Sequence, residues 1–187
     1  LMKSPFSFIV KPYNSKRYDN IKNIENIDLI TSTSKEDASS SNRFAIVVET
    51  PINYTGPIKQ GDTLLVHHNV FKYYNDMKGR EKSGKSYFKD DLFFVDNDQF
   101  FLYKQKDRWS AHGKYCFVKP IDAEDFFIDK GKEEPLVGII KYINQELINK
   151  GVKEGDKISF TPNSEYEFRV DNEKLYRMFT NNITMIL

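Results

Sequence analysis

The sequence predicts an all-β protein made of two tandem modules, each an irregular antiparallel β-barrel, and three observations carry that prediction. Four segments recur in the same order in the two halves, the mark of a duplicated unit. Tyr166, Phe168 and Val170 alternate with Glu165, Glu167 and Arg169, the period of a half-buried strand. Asp96-Asn97-Asp98 and Asp171-Asn172-Glu173 each stand between two strand-like runs as turn residues, which reads as a hairpin in each half.

Along the chain, the first module occupies 1–106. FIVKP (8–12) is its first strand and returns as CFVKP (116–120). FAIVVET (44–50) is an apolar run bounded by polar residues and matches LVGIIKY (136–142). IKQGDTLLV (58–66) returns as VKEGDKISF (152–160), and LFFVDNDQFFLYK (92–104) as EFRVDNEKLYRMF (167–179). The boundary falls in KQKDRWSAHG (104–113), so the second module covers 107–187. There only 142–150 departs from strand patterning: Ile143 and Leu147 sit at helical spacing before Lys150-Gly151, a C-cap pair, which predicts one short helix.

The halves differ in two places, both of them long segments of the first module. One is the loop 14–43, polar and serine-rich, of a composition that cannot hold itself folded, yet with Ile27, Leu29 and Ile30 within it. The other is HHNVFKYYNDMKGREKSGKSYFKDD (67–91), where the second module has only TPNSEY (161–166). Long loops in compact domains tend to carry function.

Composition excludes several function classes. With 39% hydrophobic and 14% aromatic residues, 187 residues bury a core in one domain or two. Twenty-eight basic side chains against 27 acidic ones leave a net charge of +1, so no global field favours nucleic acid, an anionic membrane or an acidic substrate. Cys116 is the one cysteine, which excludes an internal disulfide and suits the reducing cytosol. No apolar run approaches the ~18–20 residues that span a bilayer. LMKSPFSF lacks the apolar region of a signal peptide, so a cytoplasmic protein is expected, with Leu1 an added residue before the initiator Met2.

Four apparent chemical sites weigh less than they look. GREKSGKS (79–86) fits the Walker A pattern letter for letter, but a phosphate-cradling loop must follow a buried strand and open a helix. KYYNDMK before it is polar, and only five residues separate Ser86 from Leu92, too few for a crossover helix. His67 and His68 are adjacent in a strand-like run, so they face opposite sides and cannot share a metal, and His112 is in the linker. Cys116 replaces Phe8 at an apolar strand position and reads as core. Asp90-Asp91 and Glu133-Glu134 read as solvated loop charges. In the loop, Ile21, Ile24 and Ile27 stand three apart, which also fits a short amphipathic helix lying on the barrel.

In motif order and spacing the chain resembles the GroES-type co-chaperonins. FIVKP, the loop holding IDLIT, FAIVVET, IKQGDTLLV and LFFVDNDQFFLYK correspond to that family's succession over residues 6–104, and the pattern recurs more weakly over 114–187. The tandem arrangement is similar to double-domain plastid co-chaperonins, or to a viral version that would work in a host cytoplasm. Glu25-Asn26 stands where the family has Gly-Gly, and the second module keeps at most FFI (126–128).

The resemblance implies GroES-like barrels and a non-enzymatic lid that assists protein folding. Ile27, Asp28, Leu29 and Ile30 would form the anchor of a mobile loop in an apolar groove of a large GroEL-type chaperonin ring. The hairpin with Tyr73 and Tyr74 would roof the ring's opening. The partners would be that ring, unfolded protein substrates and further copies of the chain in a ring, sevenfold by resemblance. ATP would belong to the partner, so no cofactor or metal is expected, nor any nucleic acid or membrane. Two other readings are a tandem β-barrel assembly protein without a chaperonin partner and a nucleotide-binding protein built on GREKSGKS.

Overall fold

The computed structural model describes residues 2–18, 21–24, 27–30, 41–123 and 132–187, with 21–24 and 27–30 described by backbone. The chain divides into two compact units, Leu1–Arg108 and Trp109–Leu187. Both are built of antiparallel strands, and the protein is all-β.

The first unit contains β1 (Phe8–Pro12), β2 (Ile21–Ile24), β3 (Ile27–Ile30), β4 (Phe44–Glu49), β5 (Thr63–Val66), β6 (Tyr73–Asn75), β7 (Glu81–Ser83), β8 (Tyr87–Lys89), β9 (Leu92–Val95) and β10 (Phe100–Gln105). The division falls within β11 (Arg108–Ala111). The second unit holds β12 (Tyr115–Asp122), β13 (Glu133–Tyr142), α1 (Gln145–Asn149), β14 (Lys157–Phe160), β15 (Tyr166–Val170), β16 (Glu173–Phe179) and β17 (Ile183–Ile186).

In the first unit the main sheet runs β10-β5-β4-β1-β9-β8, and in the second β17-β14-β13-β12-β16-β15. Strand for strand the order is the same, and so is the register. Val10 lies opposite Val47, Lys11 opposite Ile46 and Pro12 opposite Ala45; Val118 lies opposite Ile140, Lys119 opposite Ile139 and Pro120 opposite Gly138. The irregularity between Ile9 and Val10 recurs between Phe117 and Val118. The bulges agree as well: one extra residue, Phe101, bulges from β10 against β5, and Thr184 does so from β17 against β14.

The repeated Gly-Asp has a physical reason. Gly61 and Gly155 have φ of 90° and 91°, and the following carboxylates accept from the amides of Lys59 and Lys153, each at 2.8 Å. Glycine supplies the left-handed backbone and aspartate closes the turn that launches β5 and β14. The cores match as well. Phe8, Val10, Val47, Ile58, Leu64, Val66 and Val95 are buried in one; Cys116, Val118, Ile140, Val152, Ile158, Phe160 and Met178 take the same places in the other. In the second core Leu147 of α1 is added, and Asn144 caps that helix by accepting from the Leu147 amide at 3.0 Å.

Two expectations need correction. LFFVDNDQFFLYK is not a hairpin: β9 pairs with β1 and β8, while β10 pairs with β5, so 96–99 carries the chain between strands that do not pair. Its counterpart is therefore β16 and β17, one strand later than EFRVDNEKLYRMF. The second unit does have a true hairpin at Asp171-Asn172, both at positive φ, and its equivalent in the first is the turn at Asp90-Asp91 between β8 and β9. Glu133 and Glu134 lie in β13, not in a loop, where they pair with Lys174 at 2.7 Å and Lys157 at 3.1 Å. Among the described residues neither sheet closes on itself, because the edge strands do not pair with each other.

At Gly138, β13 leaves no room for a side chain against β12. A Cβ there would collide with Cγ1 of Val118 and stand 2.8 Å from the carbonyl oxygen of Lys119. Gly138→Ala is expected to destabilise the protein by about 1–3 kcal/mol, read as a lower urea midpoint. An unchanged midpoint would contradict this packing.

Candidate interaction site

The first unit departs from the second by two additions, one between β1 and β4 that contains β2 and β3, and one between β5 and β8 that contains β6 and β7. Their roots are joined. Arg17 donates from Nε to the carbonyl oxygen of Phe71 at 2.9 Å and from Nη1 to Oγ of Ser83 at 3.1 Å. Its guanidinium lies 3.4 Å from the centroid of the Tyr73 ring and 4.9 Å from that of Phe93. Nη2 is buried with no hydrogen-bond acceptor among the described residues, so ring faces carry that part of the cation's stabilisation. Beside it the Tyr73 amide donates to the Tyr18 hydroxyl at 2.7 Å, and the two tyrosine rings stack at 5.9 Å.

Asn42 closes the first addition on itself. Its Nδ2 donates to the carbonyls of Tyr13 and Lys16 at 3.0 and 2.7 Å, its Oδ1 accepts from the Phe44 amide, and its own amide donates to the carbonyl of Arg17. With the Tyr18–Ser41 bridge, this pins the departing and returning chain together. The buried amide thus has its partners, as burial requires.

Within that addition, β2 and β3 form a two-stranded antiparallel sheet. Ile21 pairs with Ile30, Lys22 with Leu29, Asn23 with Asp28 and Ile24 with Ile27. The helical alternative for Ile21, Ile24 and Ile27 is thereby overturned: isoleucine is β-branched and favours strands, and spacing three apart over so few residues does not by itself choose a helix. Ile27, Asp28, Leu29 and Ile30 all belong to β3. Glu25-Asn26, the rest of the serine-rich stretch at 31–40, and FFI at 126–128 lie outside the described residues.

The second addition is a hairpin, β6 with β7, turned at Asp76–Arg80. Oδ1 of Asp76 accepts from the amides of Lys78 and Arg80, both at 2.9 Å, and Gly79 takes φ of 71°. Tyr73 is half-buried beneath Arg17, whereas Tyr74 is exposed. GREKSGKS therefore runs from this turn through β7 and ends just before β8. No helix follows Ser86, which is buried with its Oγ accepting from Gln99 at 3.4 Å.

His67 and His68 do not face opposite sides. β5 ends at Val66 and the chain turns, so the two rings lie 4.1 Å apart. Burial, then the neighbouring His67, Arg43 and Lys72, pull His68 down to about 4. Cys116 is fully buried, and burial pushes its thiol up to about 12, as befits a core residue. Among the described residues no three His, Cys, Asp or Glu side chains gather as a metal site, and no helix is long and apolar enough to cross a membrane.

No protein-family model matches the sequence, and no curated protein matches it.

Sequence reasoning missed Arg17, Tyr18 and Asn42. All three fell inside a segment treated as one uniform loop, and their only local signal is the turn-forming Asn14 and the Arg-Tyr pair beside it. Arg17→Ala removes two charge-assisted hydrogen bonds and the ring contacts, at a cost of about 2 kcal/mol. Amide exchange at Tyr73 and Ser83 is expected to accelerate while β12 and β16 stay unchanged; equal protection in the variant would contradict the clasp.

A pH effect follows from His68. The folded state holds it below its ordinary 6.5, so the unfolded chain binds the proton more readily. Its contribution to stability is full above pH 6.5 and is lost as pH falls toward about 4. His68→Gln should flatten that part of the stability profile, and an identical acid slope in the variant would refute the assignment.

Proposed function

We propose that the protein is a co-chaperonin: a lid without enzymatic activity that caps a large ATP-driven chaperonin ring of the GroEL type and encloses an unfolded protein substrate. The observation that carries this reading is the insertion between β1 and β4. It presents Ile27-Asp28-Leu29-Ile30 as one strand of a small sheet attached at a clasped root, on a scaffold whose motif order resembles that of GroES-type proteins. In this reading each sheet is the core of a GroES-like irregular barrel, and the chain works as a cytoplasmic ring of copies, sevenfold by resemblance.

The magnitudes explain why a ring is needed. Burying Ile27, Leu29 and Ile30 in an apolar groove yields roughly 5–8 kcal/mol gross. Ordering a dozen free loop residues at about 1 kcal/mol each would offset all of it. Pairing β2 with β3 beforehand removes part of that cost, as preorganisation does in general. One anchor still binds weakly, but several on one ring bind jointly by effective concentration and release when the partner changes state.

A tandem β assembly protein with no chaperonin partner is the competing reading, and a binding assay separates the two. In co-sedimentation with a purified GroEL-type ring and ATP, the wild-type protein should pellet with the ring. Leu29→Asp, which puts a charge into an apolar groove, should abolish this with little change in melting temperature or oligomeric state. A wild-type protein that ignores the ring in every nucleotide state would favour the assembly reading, and a Leu29→Asp variant that still caps would remove the anchor.

A further inference from the structure

GREKSGKS lacks the helix of a phosphate-cradling loop, but its last three residues line a cleft of about 470 Å³ between the chain at 69–74 and the turn before β8. Gly84 sets the two segments side by side: a Cβ there would stand 3.5 and 3.7 Å from the carbonyl oxygens of Asn69 and Lys72. Lys72, Lys85, Ser86, Gln99 and Tyr74 are among the walls, and none of the lining residues is acidic. Neither lysine forms an ion pair with a described residue. Ser86 is only 6% exposed; its Oγ accepts from Nε2 of Gln99 at 3.4 Å, and its hydroxyl proton has no acceptor among the described residues. Gln99 keeps its donor end toward Ser86 because its Oε1 accepts from the Asp96 amide at 3.0 Å. A buried donor without an acceptor is costly unless a ligand supplies one. The surrounding field has the matching sign: besides burial, the groups that hold His68 down are His67, Arg43 and Lys72, all basic.

We propose that this cleft binds a small molecule carrying a phosphoryl group, with a flat apolar remainder lying against Tyr74. The inference goes beyond the lid reading and does not rest on it. Two ammonium groups, a hydroxyl and an amide make a set of donors only. That set matches a dianion with three acceptor oxygens better than a carboxylate, which has one charge and two oxygens. The exposed Tyr74 ring supplies a face for the rest of the molecule, and the cleft has the volume of an ordinary small-ligand site. The mode differs from that of a P-loop. Side chains hold the anion instead of a helix N-terminus, and the cleft offers no carboxylate to a magnesium ion. Nucleic acid bears phosphate too, but a phosphodiester has one charge and a sugar on each side, whereas a terminal phosphoryl group can reach the buried Ser86 hydroxyl.

Isothermal titration calorimetry on the whole protein without any ring tests this with phenyl phosphate, inorganic phosphate, benzoate and an oligothymidylate lacking a terminal phosphate. Phenyl phosphate should bind about tenfold more tightly than either inorganic phosphate or benzoate, and equally well in magnesium or in EDTA. Lys85→Gln, at an exposed position, should weaken phenyl phosphate about tenfold with an unchanged melting curve, and Ser86→Ala should weaken it about fivefold. Lys82→Gln, on β7 outside the cleft, should change nothing, which separates a site from a merely basic surface. Tyr74→Ser should weaken phenyl phosphate and leave inorganic phosphate as it was. No phenyl phosphate binding at millimolar concentration, equal affinity for benzoate, or a Lys82→Gln effect as large as that of Lys85→Gln would each overturn the proposal. So would binding that needs magnesium, or tighter binding of the oligothymidylate. Leu29→Asp should bind phenyl phosphate like wild type. A protein that caps the ring but ignores phenyl phosphate keeps the lid function and loses this inference, and the converse result does the reverse.

Discussion

Each unit depends on one strand that is hydrogen-bonded on both sides. β1 pairs with β4 along one edge and β9 along the other, and β12 does the same with β13 and β16. Because side chains alternate across a strand, fixing these two registers decides which residues enter the core. Phe8 and Val10, or Cys116 and Val118, go in, and Lys11 and Lys119 stay in water. The shared irregularity after Ile9 and Phe117 sets the place at which β4 and β13 must adjust. A slip of one residue would reverse every side chain in the strand, so the same sequence, FIVKP or CFVKP, has to recur where the same pairing recurs.

Upon that scaffold the two units have diverged in opposite ways. The second covers its core with α1 and lays ion pairs over the exposed side of its sheet: Glu173 with Lys119 and Lys141, and Glu133 with Lys174 and the Tyr176 hydroxyl. Exposed pairs of this kind contribute little stability individually. The first unit instead grows two additions and joins them at their bases. Arg17 does so with an unusual economy of groups: one guanidinium binds a carbonyl of one addition's root and a hydroxyl of its hairpin while covering Tyr73. A small two-stranded sheet and a charged hairpin that share a root can act together, whereas two independent loops would not.

Local chemistry was legible in the sequence; partner choice between distant strands was not. The Gly-Asp turns, the Asp171-Asn172 hairpin and the short helix before Gly151 each depend on residues within a few positions of one another, and each was visible as a pattern. Asp96-Asn97-Asp98 has the same local chemistry as Asp171-Asn172-Glu173. Turn residues announce that a strand ends without saying which strand it will join, so a connection between non-neighbouring strands looked like a hairpin. His67 and His68 were misread because the chain turns after Val66, where β5 ends, instead of continuing as a strand. The site was legible in part. Leu29 and its isoleucine neighbours stood out as apolar residues in polar surroundings, but the β2–β3 pairing competed with an equally good helical spacing. Arg17 and Tyr73 gain their meaning from residues more than fifty positions away.

The claim on which the functional account turns is that the first unit's insertions address a chaperonin ring. Electron microscopy of a purified GroEL-type ring incubated with ATP and this protein tests it most directly. The account predicts density capping the ring, with contacts leading from the residues 21–30 segment into the apolar grooves at the ring's rim. Rings that remain bare across all nucleotide states, at protein concentrations well above those of the ring, would contradict it.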